Sequence, residues 1–225
     1  MITQRTNARI TGVLFILGTV PPIAGGLLWG PVVSSPDYLS AMAAHSSQVL
    51  LLALFDLVFM GLACAGIGIS LYPVLKRQGQ GLALGAMGFR LIEGALQIVG
   101  AIVLVALLAL SREFVKAGSP SGSWFQPAGA AIKAVRDWAA NGSAVFPWCA
   151  GAYIYYAVFY RTRLLPRWLS VWGLLGLTLF LASAILAMFG FIGSFSTSQM
   201  LLSLPIMAQE LVLAVWLIAK GYRED

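Results

Sequence analysis

A chain of 225 residues that is 60% hydrophobic and 10% charged carries far less charge than the roughly 25% of a soluble domain, which excludes a water-soluble core of this length and leaves lipid as the solvent. Spans of about 20 residues with short loops fill the length with five to seven helices, so residues 1–225 read as a single transmembrane domain. The net charge of +6 is not gathered into basic blocks interleaved with aromatics, so no nucleic-acid partner is expected.

Taken in order, Arg5 and Arg9 precede an apolar run that continues past Pro21-Pro22. That run is longer than the roughly 15-residue core of a secretory signal, so it reads as a retained first span, 10–33. Two adjacent prolines remove two backbone donors and are expected to kink or break the helix there. The loop 34–47 holds Asp37 and His45, and span two, 48–75, contains Asp56. A basic turn at Lys76-Arg77 leads into span three, 81–111, which carries Arg90, Glu93 and Gln97. In the connector 112–142, residues 127–140 place Ile132, Val135 and Ala139 on one face and Lys133, Arg136 and Asp137 on another. This predicts a short amphipathic helix lying at the membrane surface, ended by Asn141-Gly142.

Span four, 143–160, is rich in aromatics and is followed by a basic turn of Arg161, Arg163 and Arg167 around Pro166. Span five, 168–193, then an uncharged loop from Ser194 to Ser198, then span six, 199–219, with Pro205 and Glu210, complete the chain. Lys220, Arg223, Glu224 and Asp225 form the end. Short loops rich in Lys and Arg mark the cytoplasmic side, and here they fall at the termini and the even-numbered turns. The fold class expected is therefore all-α, a polytopic bundle of six spans with both termini inside.

Ionisable side chains within spans are costly and mark sites or structural locks. From the helical rise, Asp56 lies roughly 12 Å and Glu210 roughly 16 Å below the outer surface. Arg90 and Glu93, rising from the inner side, reach about the same level. Arg90, Glu93 and Gln97 share a stripe with Ala86, Gly94 and Ala101, as a close helix contact requires. On span four, Cys149, Tyr153, Tyr156 and Tyr160 follow helical spacing, with Tyr153 at a depth suited to a carboxylate partner. The polar centre expected comprises Asp56, Arg90, Glu93, Gln97, Tyr153, Tyr156 and Glu210. An arginine fork holds one or two carboxylates, which leaves an acid to carry a proton. That suits a proton-coupled carrier, and a network that only locks helix packing has the same composition.

One histidine excludes paired-histidine zinc motifs, and neither a G-x-S-x-G elbow nor a glycine-rich phosphate loop is present. No catalytic residue, metal or cofactor is expected, and an enzyme is the least favoured class. Membrane lipids and a small-molecule ligand are the expected partners. Small-residue faces on spans three and five suit a homo-oligomer as well as internal packing.

ARITGVLFILG near the start, LYPVLKRQ, LALGAMGFRLIEGAL, YRTRLLPRWLSVWGLLGL and QELVLAVWLIAKG follow one another along the chain. Together they resemble a bacterial multi-span membrane family catalogued only as a domain of unknown function, over nearly the whole length. Asp56, Arg90, the Pro166-Arg167 turn, Glu210 and Lys220-Gly221 match that family's polar positions. Span four departs from it, with Cys149 and tyrosines where related sequences carry glycine and histidine. The resemblance implies a bacterial inner-membrane location and no particular activity. The functional expectation is a small-solute or proton-coupled carrier, or a ligand sensor, built on the polar centre. Its alternative is a structural or regulatory membrane protein.

Overall fold

Long apolar runs punctuated by capping residues become helices in a computed structural model, which describes residues 3–192 and 196–223. Among these residues there is no strand. The expected loop from Ser194 and the terminal acids Glu224 and Asp225 lie outside the described residues, in part or entirely.

Helix α1 (Gln4–Ser34) opens where the Thr3 hydroxyl accepts the Thr6 N–H at 3.2 Å. It starts earlier than expected because that cap stands ahead of the apolar run. It also passes through Pro21, Pro22 and Pro31 without a break. A proline removes its own donor but leaves the rest of the ladder standing, and packed neighbours tolerate the loss. The loop that follows is partly helical, α2 (Tyr38–Ala44).

Span two consists of α3 (Ser46–Phe55), a π-helical segment Asp56–Leu62, and α4 (Ala63–Leu75). Helix α5 (Gln80–Lys116) has 37 residues, well beyond what a bilayer requires. It closes with Gly118 in the left-handed region (φ 81°) and the Ser119 N–H on the Phe114 carbonyl at 3.0 Å, a turn that favours glycine.

Helix α6 (Phe125–Asp137) runs into a second π-helical segment, Trp138–Ser143, and then α7 (Val145–Thr162). The stop expected at Asn141-Gly142 is therefore absent. The Ala144 N–H bonds the Ala139 carbonyl at 3.3 Å, so a wide turn carries the helix across it. The expected apolar face of this segment is also split: Ile132 packs inward, whereas Val135 is 55% exposed. Arg163, at φ 58°, ends α7. Helix α8 (Arg167–Met188) follows Pro166, and α9 (Thr197–Ala219) starts where the Ser196 hydroxyl caps the Gln199 N–H at 3.3 Å.

Five of these elements are long and apolar enough to cross a membrane: Gln4–Ser34, Ser46–Leu75, Gln80–Lys116, Arg167–Met188 and Thr197–Ala219. The 18-residue α7 does not meet that measure, because its tyrosines and tryptophan dilute its apolarity. Leu27, Leu28, Ile102, Leu175 and Val215 all project outward, each at least 60% exposed. That much bare apolar surface is stable against lipid and a liability in water.

Helix α5 is the axis of the packing, touching α4, the first π segment, α6 and α7, while α9 lies between α1 and α8. A large apolar core gathers around Tyr155, Tyr156 and Phe159 of α7. A second lies between Met42, Leu104, Leu107, Phe114 and Phe125.

Candidate functional site

The polar centre begins with backbone contact. Helix α5 approaches α4 and α7 so closely at Arg90 that only glycine fits opposite. A Cβ on Gly68 would stand 2.8 Å from the Arg90 Cβ, and one on Gly151 would stand 3.4 Å from its Cγ and 3.1 Å from the Ala86 carbonyl. Gly94, one turn further along, lies against the Gly61 carbonyl of the π segment, where a Cβ would come within 2.6 Å. These contacts bury the arginine at 2% exposure and its neighbour Glu93 at 4%.

Arg90 Nη1 lies 2.9 Å from Glu93 Oε2 one turn along the same helix. The approach is poorly aligned: neither of those atoms, nor Arg90 Nε, completes a hydrogen bond among the described residues. Glu210 of α9 enters from the opposite wall, accepting the Thr19 hydroxyl of α1 at 3.2 Å. It lies within electrostatic reach of Arg90 and Glu93. Cys64, Cys149 and Tyr155 share that reach, and the fully buried Tyr155 hydroxyl has only the neighbouring Tyr156 side chain to turn to. Two carboxylates, one guanidinium and one phenol thus meet in an apolar interior with hydrogen-bonding capacity unspent.

Of the residues expected together, Arg90, Glu93 and Glu210 converge, and Gln97 is buried one turn beyond Glu93. Tyr156 lies beside this group, donating to Gln209 Oε1, while Gln209 Nε2 donates to the Leu169 carbonyl at 3.0 Å. Asp56 goes elsewhere. Its Oδ2 meets Arg136 Nη2 at 3.2 Å, a residue read from sequence as facing water. The same guanidinium also meets Asp137 at 3.3 Å. Tyr153 points to α8, sharing a 2.8 Å hydrogen bond with Thr178.

Sequence reasoning missed Tyr155, Thr19 and Cys64. A signal existed for two of them. Gly61, Cys64 and Gly68 form a stripe of small residues on span two, and Gly151 and Ala152 mark the face of α7 that also carries Tyr155. Nothing in the sequence distinguishes Thr19 from other hydroxyl residues.

An all-α protein with several helices of membrane-crossing length and a charged cluster in its interior is the class that fold and site define. Within it, the chain belongs to the family described as Domain of unknown function (DUF4386), which matches residues 10–221. No curated protein and no solved structure matches the chain.

Proposed function

We propose that this is a six-span integral membrane protein of the bacterial cytoplasmic membrane, with both termini inside. Arg90, Glu93 and Glu210 form its proton- and solute-responsive centre, as in a small proton-coupled carrier or a ligand sensor. The sixth span is α7. If α7 did not cross, α5 would end outside and α8 would begin there too, stranding Arg161, Arg163 and Arg167 on the outer face against the charge rule for short loops. Its 18 residues extend about 27 Å, close to the hydrocarbon thickness. Helix α6, tied to span two through Asp56 and Arg136, then lies at the outer surface.

The observation that carries the functional reading is the incomplete satisfaction of a buried ion pair with a second carboxylate in reach. A lock built only for stability saturates its donors and acceptors. Here two carboxylates face one guanidinium, so a neutral centre requires one added proton, and the unspent donors of Arg90 can receive a polar solute. The rival structural reading draws on the glycine clamp around Arg90, which also serves packing alone.

Infrared difference spectra of the reconstituted protein between acid and alkaline buffer separate the two. A protonated-carboxyl band that titrates and disappears in Glu210→Gln or Glu93→Gln is the expected result. If no carboxyl band changes with pH while both variants melt far below the parent, the centre is a lock.

A further inference from the structure

The turn between α7 and α8 holds charge that the buried centre does not use. Arg163 closes α7 in the left-handed conformation, and Pro166 precedes the first turn of α8 without offering it a capping side chain. The chain's end folds back onto this turn: the Arg223 N–H donates to the Leu164 carbonyl at 2.9 Å. Between them lies an open surface cavity of about 460 Å³ lined by Arg163, Arg167, Arg223, Leu165, Pro166 and Trp168.

The three guanidinium groups are exposed, and among the described residues none takes part in an ion pair. The Arg167 guanidinium lies over the Tyr160 ring, 5.2 Å from its centroid, a cation–π contact that favours this direction. Trp168 contacts Trp172 and Trp216, with ring centroids 6.3 and 6.4 Å apart. Clustered tryptophans of this kind sit at the level of lipid headgroups. The cavity therefore combines planar forked cations, the start of a helix, and an apolar wall at the headgroup level. Guanidinium forks match phosphate oxygens geometrically, and helix N-termini favour the same charge.

We infer that this cavity is a phosphate-binding site whose occupant is the headgroup of an anionic phospholipid, with Arg163, Arg167 and Arg223 on the phosphate oxygens and the exposed Trp168 against the glycerol and upper acyl chain. It requires that α7, α8 and α9 meet a membrane surface here, and nothing of the Arg90 centre. Basic pockets between spans on the cytoplasmic side suit such headgroups.

The test uses the full chain purified in mild detergent. Thermal midpoints and native mass spectra would be recorded with diphosphatidylglycerol, phosphatidylcholine or inorganic phosphate added. Expected are a raised midpoint and a retained lipid with diphosphatidylglycerol and neither with phosphatidylcholine. Binding should weaken about 100-fold in R163Q/R167Q/R223Q. The charge-matched control R5Q/K76Q/R77Q should bind as the parent does. Should the triple variant fail to fold, Arg167→Lys carries the test, because it keeps the charge and loses the fork; weaker lipid retention is expected. Protection by inorganic phosphate with the same arginine dependence would uphold the phosphate site and overturn the lipid as its source. Equal binding by the parent and the arginine variants, or an equal loss in the control, would overturn the site.

Discussion

At the scale of single residues, the decisive side chain is Arg90. It is among the largest fully buried side chains, yet parts of its guanidinium remain without a hydrogen bond among the described residues. Glu93 supplies its nearest counter-charge at 2.9 Å. Removing the guanidinium leaves two buried carboxylates without a counter-charge in a medium that cannot solvate them, whereas removing Glu93 still leaves Glu210 within reach of Arg90. Arg90→Met is accordingly expected to lose about 3–5 kcal/mol of stability. Adding Glu93→Leu to that variant should recover part of the loss, with Glu210 left as the one buried acid. Melting in detergent, read as a double-mutant cycle, checks both. An additive cycle would mean the two side chains do not interact in the folded protein.

At the scale of elements, the centre depends on how closely α5 can lie against α4 and α7. Gly68 faces Arg90 Cβ and the Met87 backbone, at 2.8 and 3.2 Å from an added Cβ, whereas Gly88 on the neighbouring face has nothing within 4 Å. Gly68→Ala should therefore cost about 1–3 kcal/mol by overpacking. Gly88→Ala should be neutral or raise the melting temperature, since alanine is the better helix former. Similar melting temperatures for the two variants would show that the α4–α5 contact does not set the position of Arg90. The same geometry explains what could be read in advance. Arg90, Glu93 and Glu210 were legible because regular helices carry depth and face together, and α5 and α9 are regular. The partner of Asp56 was not legible. Asp56 opens a π-helical segment, and the wider turns of that segment break the helical phase that links its face to that of Cys64 and Gly68. Counting at one fixed period across such a segment assigns a neighbour that the chain does not have. Arg136 was misread for a related reason. Amphipathic patterning assumes that a charged face seeks water, and it is blind to an acid arriving from another helix.

At the scale of the whole molecule, the composition made lipid the solvent, and the five long apolar helices with their outward leucines agree with that. The passage of α7 decides the topology, and hydropathy alone does not carry it. The tyrosines, the tryptophan and Arg161 of α7 lower the very index by which spans are recognised. A helix buried among others needs less apolarity toward lipid than one at the rim. Surface labelling of intact cells with a membrane-impermeant thiol reagent resolves the matter, because the native cysteines, Cys64 and Cys149, are buried and give little background. With six spans, Ser121→Cys is expected to label in intact cells, whereas Gln78→Cys and Arg161→Cys should label only after permeabilisation. All three positions are exposed in the folded chain, so silence cannot be blamed on burial. If Arg161→Cys labels alongside Ser121→Cys, α7 does not cross. The basic turn would then face outward, and the anionic-lipid site would have to be sought on the opposite leaflet.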